Sequence, residues 1–182
     1  GGRGAAGGGE RGGTVGGGGG KGVRGGRVRP GGRKGGKGLR FRGGGGSMDG
    51  QVERAEELFW AGRSECKRFA HFYFHNCPYE AVWTENRRRH DEATPLLDVI
   101  RTYPSDYRVV FVGDASMSPY EIAAPGGSVE HMNEEAGEVW IRRLTARFPK
   151  VAWINPLPEE QWGWTHSVGM VRRLIGNRMY PL

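Results

Sequence analysis

The sequence predicts an α/β domain built on a mostly parallel central sheet, and three observations carry that prediction. "YRVVFVG" (107–113) is a continuous apolar run closed by glycine, the pattern of a strand covered on both faces. "KVAWINP" (150–156) is a second strand of the same character. Around them lie stretches whose apolar residues recur three and four apart, so strands and helices alternate, as they do when parallel strands are joined by helical crossovers.

Taken in order, the elements begin after a segment of a different kind. Of the 34 glycines in the 182-residue chain, 26 fall in the first 50 positions, together with 11 Lys/Arg and two acids, Glu10 and Asp49. The remaining residues hold 16 basic and 18 acidic side chains, so the net charge of +7 belongs to the tail and not to the body. Residues 1–37 are too poor in aliphatic side chains to offset chain entropy and are expected to be a disordered basic tail. Residues 38–182 are expected to form one domain, long enough for a single core.

Within the body, "DGQVERAEELFWAGRSECKRF" (49–69) reads as a helix, with Asp49 as N-cap and Val52, Ala55, Leu58, Phe59, Gly62, Cys66 and Phe69 along one face. "AHFYFHN" (70–76) reads as a buried strand and "EAVWT" (80–84) as a short second one, followed by a polar loop, "NRRRHDEA". "TPLLDVIRTY" (94–103) reads as a helix with Thr94 at the N-cap and Pro95 at the first helical position, where a missing N–H costs nothing. After the strand "YRVVFVG" comes "DASMSPYEI", then an amphipathic helix in "EEAGEVWIRRLTARF" (134–148). The strand "KVAWINP" leads to a helix in "THSVGMVRRLIGN" (165–177), and "RMYPL" (178–182) starts a further strand.

In open α/β sheets ligands sit beyond the carboxyl ends of strands, near the point where strand order reverses. That rule points to "GDASMS" (113–118) and, if a strand precedes it, to "GGGGSMD" (43–49). A carboxylate (Asp114) and hydroxyls (Ser116, Ser118) on such a loop suit a hard cation such as Mg²⁺. The same residues equally suit a turn in which Asp114 caps the backbone and the serines bond to it. His71 and His75, four apart in the expected strand, share a face with nothing to complete a metal site, so a structural role is expected. Trp162 and Trp164, two apart beside prolines, are expected in the core, with an exposed partner surface as the alternative. Cys66 and Cys77 show neither disulfide framework nor zinc spacing, which suits reduced thiols in a cytoplasmic protein. No apolar run reaches membrane-spanning length, so no membrane partner is expected. The Gly/Arg tail has charge but hardly any stacking aromatics, so any nucleic-acid binding through it should be weak, non-specific and salt-sensitive.

Long strings, among them "TYPSDYRVVFVGDASMSPYEI" and "EAGEVWIRRLTARFPKVAWINPLPEEQWGWTHSVGMVRRLIGNRMYPL", resemble the von Willebrand factor A (vWA) domain of bacterial CoxE-like proteins. The resemblance spans about Arg29 to Leu182 and is strongest from Ser47 onward. It implies a Rossmann-like sheet flanked by helices, incomplete at the C-terminus here, and a metal-ion-dependent adhesion site holding Mg²⁺ or Mn²⁺. That site draws on a D-x-S-x-S loop after the first strand, a threonine on a second loop and an aspartate after the fourth strand. In the CoxE-like type the first loop reads Asp, apolar residue, Gly, Gly, Ser, Met, Asp. Carried over residue by residue, Ser47, Thr94 and Asp114 are the implied metal ligands.

The departures cluster at the start. Gly43 occupies the expected aspartate position, Gly45 that of the first serine, and the first strand reads "GGKGLRFR", with Arg40 and Arg42 where burial is expected and Gly36, Gly38 and Gly44 where side chains are. Each departure is one base change to G away from the family residue, so Arg29 to Gly44 reads as a degenerate first strand. Loss of the aspartate implies weak or absent metal binding. The resemblance further implies a protein-interaction role and no catalysis, with a MoxR-type AAA+ ATPase as partner in assembling or activating complexes or metalloenzymes.

Overall fold

The structure, a computed structural model, describes residues 36–44, 66–85 and 93–182. Strand β1 (Gly36–Gly43) lies in the middle of a sheet, paired in parallel with β2 (Cys66–Phe74) on one side and β5 (Arg108–Val112) on the other. Beyond β5 come β6 (Lys150–Asn155) and β7 (Met179–Pro181), again parallel. The resulting five-stranded order is β2-β1-β5-β6-β7, a Rossmann-like α/β arrangement. The short strands β3 (Ala81–Val82) and β4 (Thr94–Pro95) pair antiparallel as a separate two-stranded ribbon, tied to β2 by the Tyr73–Trp83 bridge.

The degenerate-looking first strand forms because a strand needs only alternate residues for its core face. Leu39 and Phe41 are both fully buried. In register they lie beside Val109 and Phe111 of β5, which lie beside Val151 and Trp153 of β6. The Phe41 ring stacks between Phe72 and Phe111, with centroids 5.5 and 5.2 Å away. Arg40 and Arg42 fall on the other face and stay half-buried, with the Arg42 guanidinium 5.7 Å from the Tyr73 ring centroid. At Gly38 the ring of Phe69 fills the missing side chain's place: a Cβ there would stand 2.8 Å from two of its carbons. An aromatic from the neighbouring strand covering a strand glycine is a known way to keep such a residue in a sheet.

The helices are α1 (Leu96–Thr102), α2 (Pro119–Ala123), α3 (Gly137–Arg147) and α4 (His166–Leu174), and neighbouring ones pack on one another. Their inward residues, Val99, Ile122, Trp140, Ile141, Leu144, Val168 and Val171, join Leu39, Phe41, Phe111 and Trp153 in one core. Arg147 fastens α1 to α3, its guanidinium donating to the carbonyls of Ile100 (3.1 Å) and Tyr103 (3.0 Å) at the end of α1. Burial raises the Tyr103 phenol pKa, with Tyr107 a smaller cause. Those two rings meet edge to face, 5.1 Å apart.

Three sequence expectations are corrected. Cys66 to Phe69 are strand and not helix: they continue the β1–β2 ladder, and pairing with β1 overrides the helical spacing of their apolar residues. The rest of that expected helix, 49–65, lies outside the described residues, as do the tail over 1–35 and the arginine loop over 86–92. Thr94 is not a helix N-cap. It sits in β4 opposite Val82, Pro95 holds the cap position with no side-chain cap, and the N–H of Leu96 donates to the Glu80 carbonyl at 2.8 Å. The two tryptophans divide: Trp162 is buried and donates to the Leu157 carbonyl, whereas Trp164 is 81 % exposed.

Candidate functional site

Strand order reverses between β1 and β5. The chain goes from β1 outward to β2, then returns across β1 to continue β5, β6, β7 in the other direction. The carboxyl ends of β1 and β5 therefore flank the crevice where α/β sheets place their ligands. Gly43 ends β1 and Gly113 follows β5, and a Cβ on Gly113 would lie 3.9 Å from the Gly43 Cα. The expectation that a strand precedes the glycine-rich loop is met. The loop itself, with Ser47, lies outside the described residues.

The loop after β5 is fixed by residues the sequence reading passed over. The indole of Trp153, on β6, donates to the Gly113 carbonyl at 2.7 Å. Asn155, fully buried at the end of β6, donates to the Asp114 carbonyl at 2.8 Å and accepts from the Leu157 N–H at 2.9 Å. Ser167, buried in the first turn of α4, donates to the Ala115 carbonyl at 2.8 Å and accepts from the Met117 N–H at 3.1 Å. These bonds hold Ala115 at φ 55°, a left-handed conformation that costs an L-residue about 1–2 kcal/mol. The Asp114 carboxylate accepts from the Ser116 N–H at 3.0 Å, an Asx turn.

Ser118 closes the loop by capping α2. Its hydroxyl accepts from the Tyr120 N–H at 3.3 Å, and Glu121 reaches back to the Ser118 N–H at 3.1 Å, a capping box with Pro119 at the first helical position. Glu121 is buried, and its other oxygen accepts from the Asn76 side chain at 2.8 Å, tying α2 to the turn after β2. Both the "S-P-Y-E" capping signal and the asparagine closing an apolar strand were present in the sequence as clues to these roles.

The capping reading of "DASMS" thus accounts for Ser118 and for one oxygen of Asp114. Of the implied metal ligands, Asp114 stands at the switch point and Thr94 lies in the β3–β4 ribbon. At Gly43 a Cβ would meet the Val112 carbonyl at 3.4 Å and the Phe74 ring at 3.5 Å, so a side chain fits there but none is present. Mg²⁺ takes six oxygen ligands in near-octahedral geometry. The described residues bring one carboxylate to the crevice and do not complete such a shell, and they contain no cluster of three His, Cys, Asp or Glu able to hold a metal.

His71 is exposed and edge-on to Tyr73, while His75 lies just beyond the end of β2, its Nε2 3.1 Å from Glu130. Among the described residues, no helix is long and apolar enough to cross a membrane. No family model, no curated protein and no solved structure matches the chain.

Proposed function

We propose that this chain is a protein-interaction domain of the vWA, CoxE-like type with a degenerate metal-ion-dependent adhesion site, acting with a MoxR-type AAA+ ATPase in the assembly or activation of protein complexes or metalloenzymes. One observation carries the reading. The parallel β1–β5 pair at the reversal of strand order puts Gly43 next to the Asp114 loop, where the family's leading aspartate and fourth-strand aspartate would meet. The length of the resembling strings supports the family.

A bound cation would supply a Lewis-acidic point for a partner's carboxylate, with Ser47, Thr94 and Asp114 as its implied holders. With glycine at 43, negative charge and an anchor for metal-bound water are missing. Recognition therefore relies on the shape of the loop surface that Asn155, Ser167 and Ser118 set.

Isothermal calorimetry with Mg²⁺ and Mn²⁺ tests the degenerate site. The unmodified chain is expected to give weak or no heat, and Gly43→Asp, whose Cβ would meet its neighbours no closer than 3.4 Å, to gain binding by about tenfold or more, or about 1.4 kcal/mol. Tight binding by the unmodified chain refutes the degenerate site. Failure to co-sediment with a MoxR-type ATPase in either metal or chelator refutes the partner.

A further inference from the structure

The loop between α2 and α3 lies against the turn that follows β2, and each of these two segments contributes one histidine and one glutamate to the contact. Nε2 of His75 is 3.1 Å from Oε1 of Glu130, and Nε2 of His131 is 3.1 Å from Oε1 of Glu80. The first pair is the more enclosed, its side chains only 16 % and 21 % exposed, so solvent screens it less. We propose that these crossed pairs form a pH-dependent clasp, closed while His75 and His131 carry protons and loosened as they lose them.

The groups facing the two imidazoles come from several elements. Nδ1 of His131 is 3.2 Å from the Ser128 hydroxyl, which also accepts from the Glu130 N–H, so the serine can serve either protonation state. The Tyr79 ring meets His131 edge-on at 5.3 Å, and its hydroxyl donates to the Glu121 carbonyl. Burial pushes the Tyr79 phenol and the Cys77 thiol well above their ordinary ranges, with Glu121 adding to both, so these neighbours stay neutral. The carboxylates in the neighbourhood are Glu80 and Glu130, which face the histidines directly, and Glu121 behind them.

An imidazolium facing a carboxylate is attracted by charge, whereas a neutral imidazole keeps at most a hydrogen bond. The clasp is therefore held by charge while the imidazoles carry protons, and that attraction is lost as pH rises through the range in which an ordinary imidazole gives up its proton. Opening reaches the switch point through a short physical chain: Asn76, next to His75, bonds Glu121, and Glu121 holds the Ser118 N–H at the end of the Asp114 loop. The loop also carries the exposed Val129 and Met132. The clasp does not depend on the metal reading and survives or fails separately from it.

Amide hydrogen exchange on the full chain tests it. The N–H groups of Gly126, Ser128 and Glu130 donate to Asn133 and to Ser128 within the loop and report its order. After correction for intrinsic exchange, their protection is expected to fall roughly three- to tenfold between about pH 5.5 and about pH 8, with sheet amides such as Val110 and Ala152 unchanged as the folding control. The double variant His75→Gln, His131→Gln keeps a donor without a titrating charge and should flatten the profile. Should that variant lose sheet protection, Glu80→Gln with Glu130→Gln removes the opposite charges and should flatten it equally. A flat profile in the unmodified chain, or an unchanged slope in a folded double variant, overturns the clasp.

Discussion

Strands β1 and β5 are neighbours in the centre of one sheet, yet their sequences have little in common. β5, "RVVFV", is apolar on both faces; β1, "GKGLRFRG", is apolar only at Leu39 and Phe41. Both supply a fully buried aromatic to the same row, Phe41 beside Phe111. The difference teaches that membership of a sheet is decided by one face and by the neighbours' register. The second face of β1 tolerates glycine because Phe69 lies over Gly38, and tolerates arginine because those side chains are only half-buried. At its end β1 brings Gly43, with no side chain of its own, close to Gly113 at the start of the Asp114 loop.

The sharpest way to break this comparison is to remove the shared aromatic from each strand in turn. Phe41→Ala and Phe111→Ala each empty a fully buried ring site and should each destabilise the fold by about 3–5 kcal/mol in denaturant titration. If β1 were an accessory strand, Phe41→Ala would be nearly silent while Phe111→Ala remained severe, and that asymmetry would sink the equivalence drawn between them.

A smaller effect sharpens the role of glycine in β1. Restoring an apolar side chain with Gly38→Val looks like a repair when only the sequence is considered. The Phe69 ring already occupies that space, with two carbons 2.8 Å from the position of the new Cβ. Overpacking of this kind should destabilise by about 1–3 kcal/mol, seen as a lower urea midpoint at unchanged slope. A rise in stability would mean that the ring yields at little cost and that the strand is merely impoverished.

The contrast also marks how much of the molecule could be read in advance. Strands β5 and β6 were legible as continuous apolar runs, and helices α3 and α4 because apolar residues recur three and four apart on the side that is buried. β1 was legible only through family resemblance, since two apolar residues among glycines and arginines carry no period of their own. The start of β2 was misread because Cys66 and Phe69, three apart, fit a helix face, and the pairing with β1 that makes them strand leaves no mark in that spacing. Thr94 was misread because residues 94 and 95 pair with β3, and the Leu96 N–H, one of the donors a cap there could take, goes to the Glu80 carbonyl, distant in sequence. The switch point could be located from strand order, but Asn155 and Ser167 could not, because their partners at Asp114 and Ala115 are about 40 to 50 residues away and meet only in the fold.

The smallest predicted effect concerns the loops that follow the two strands. In the vWA reading the serine that matters is Ser47, after β1, while the serine that matches by string, Ser118 after β5, is the N-cap of α2. Ser118→Ala should therefore cost about 1 kcal/mol, the ordinary value of a lost cap, and Ser118→Asp should restore it, because aspartate caps as well as serine and its charge suits a helix N-terminus. The pair of thermal melts separates capping from cation binding. A cap is rescued by aspartate with or without Mg²⁺, whereas a ligand would make the rescue depend on the metal. Metal-dependent rescue would move the candidate site's serine from the β1 loop to the β5 loop, and with it the comparison between the two strand ends.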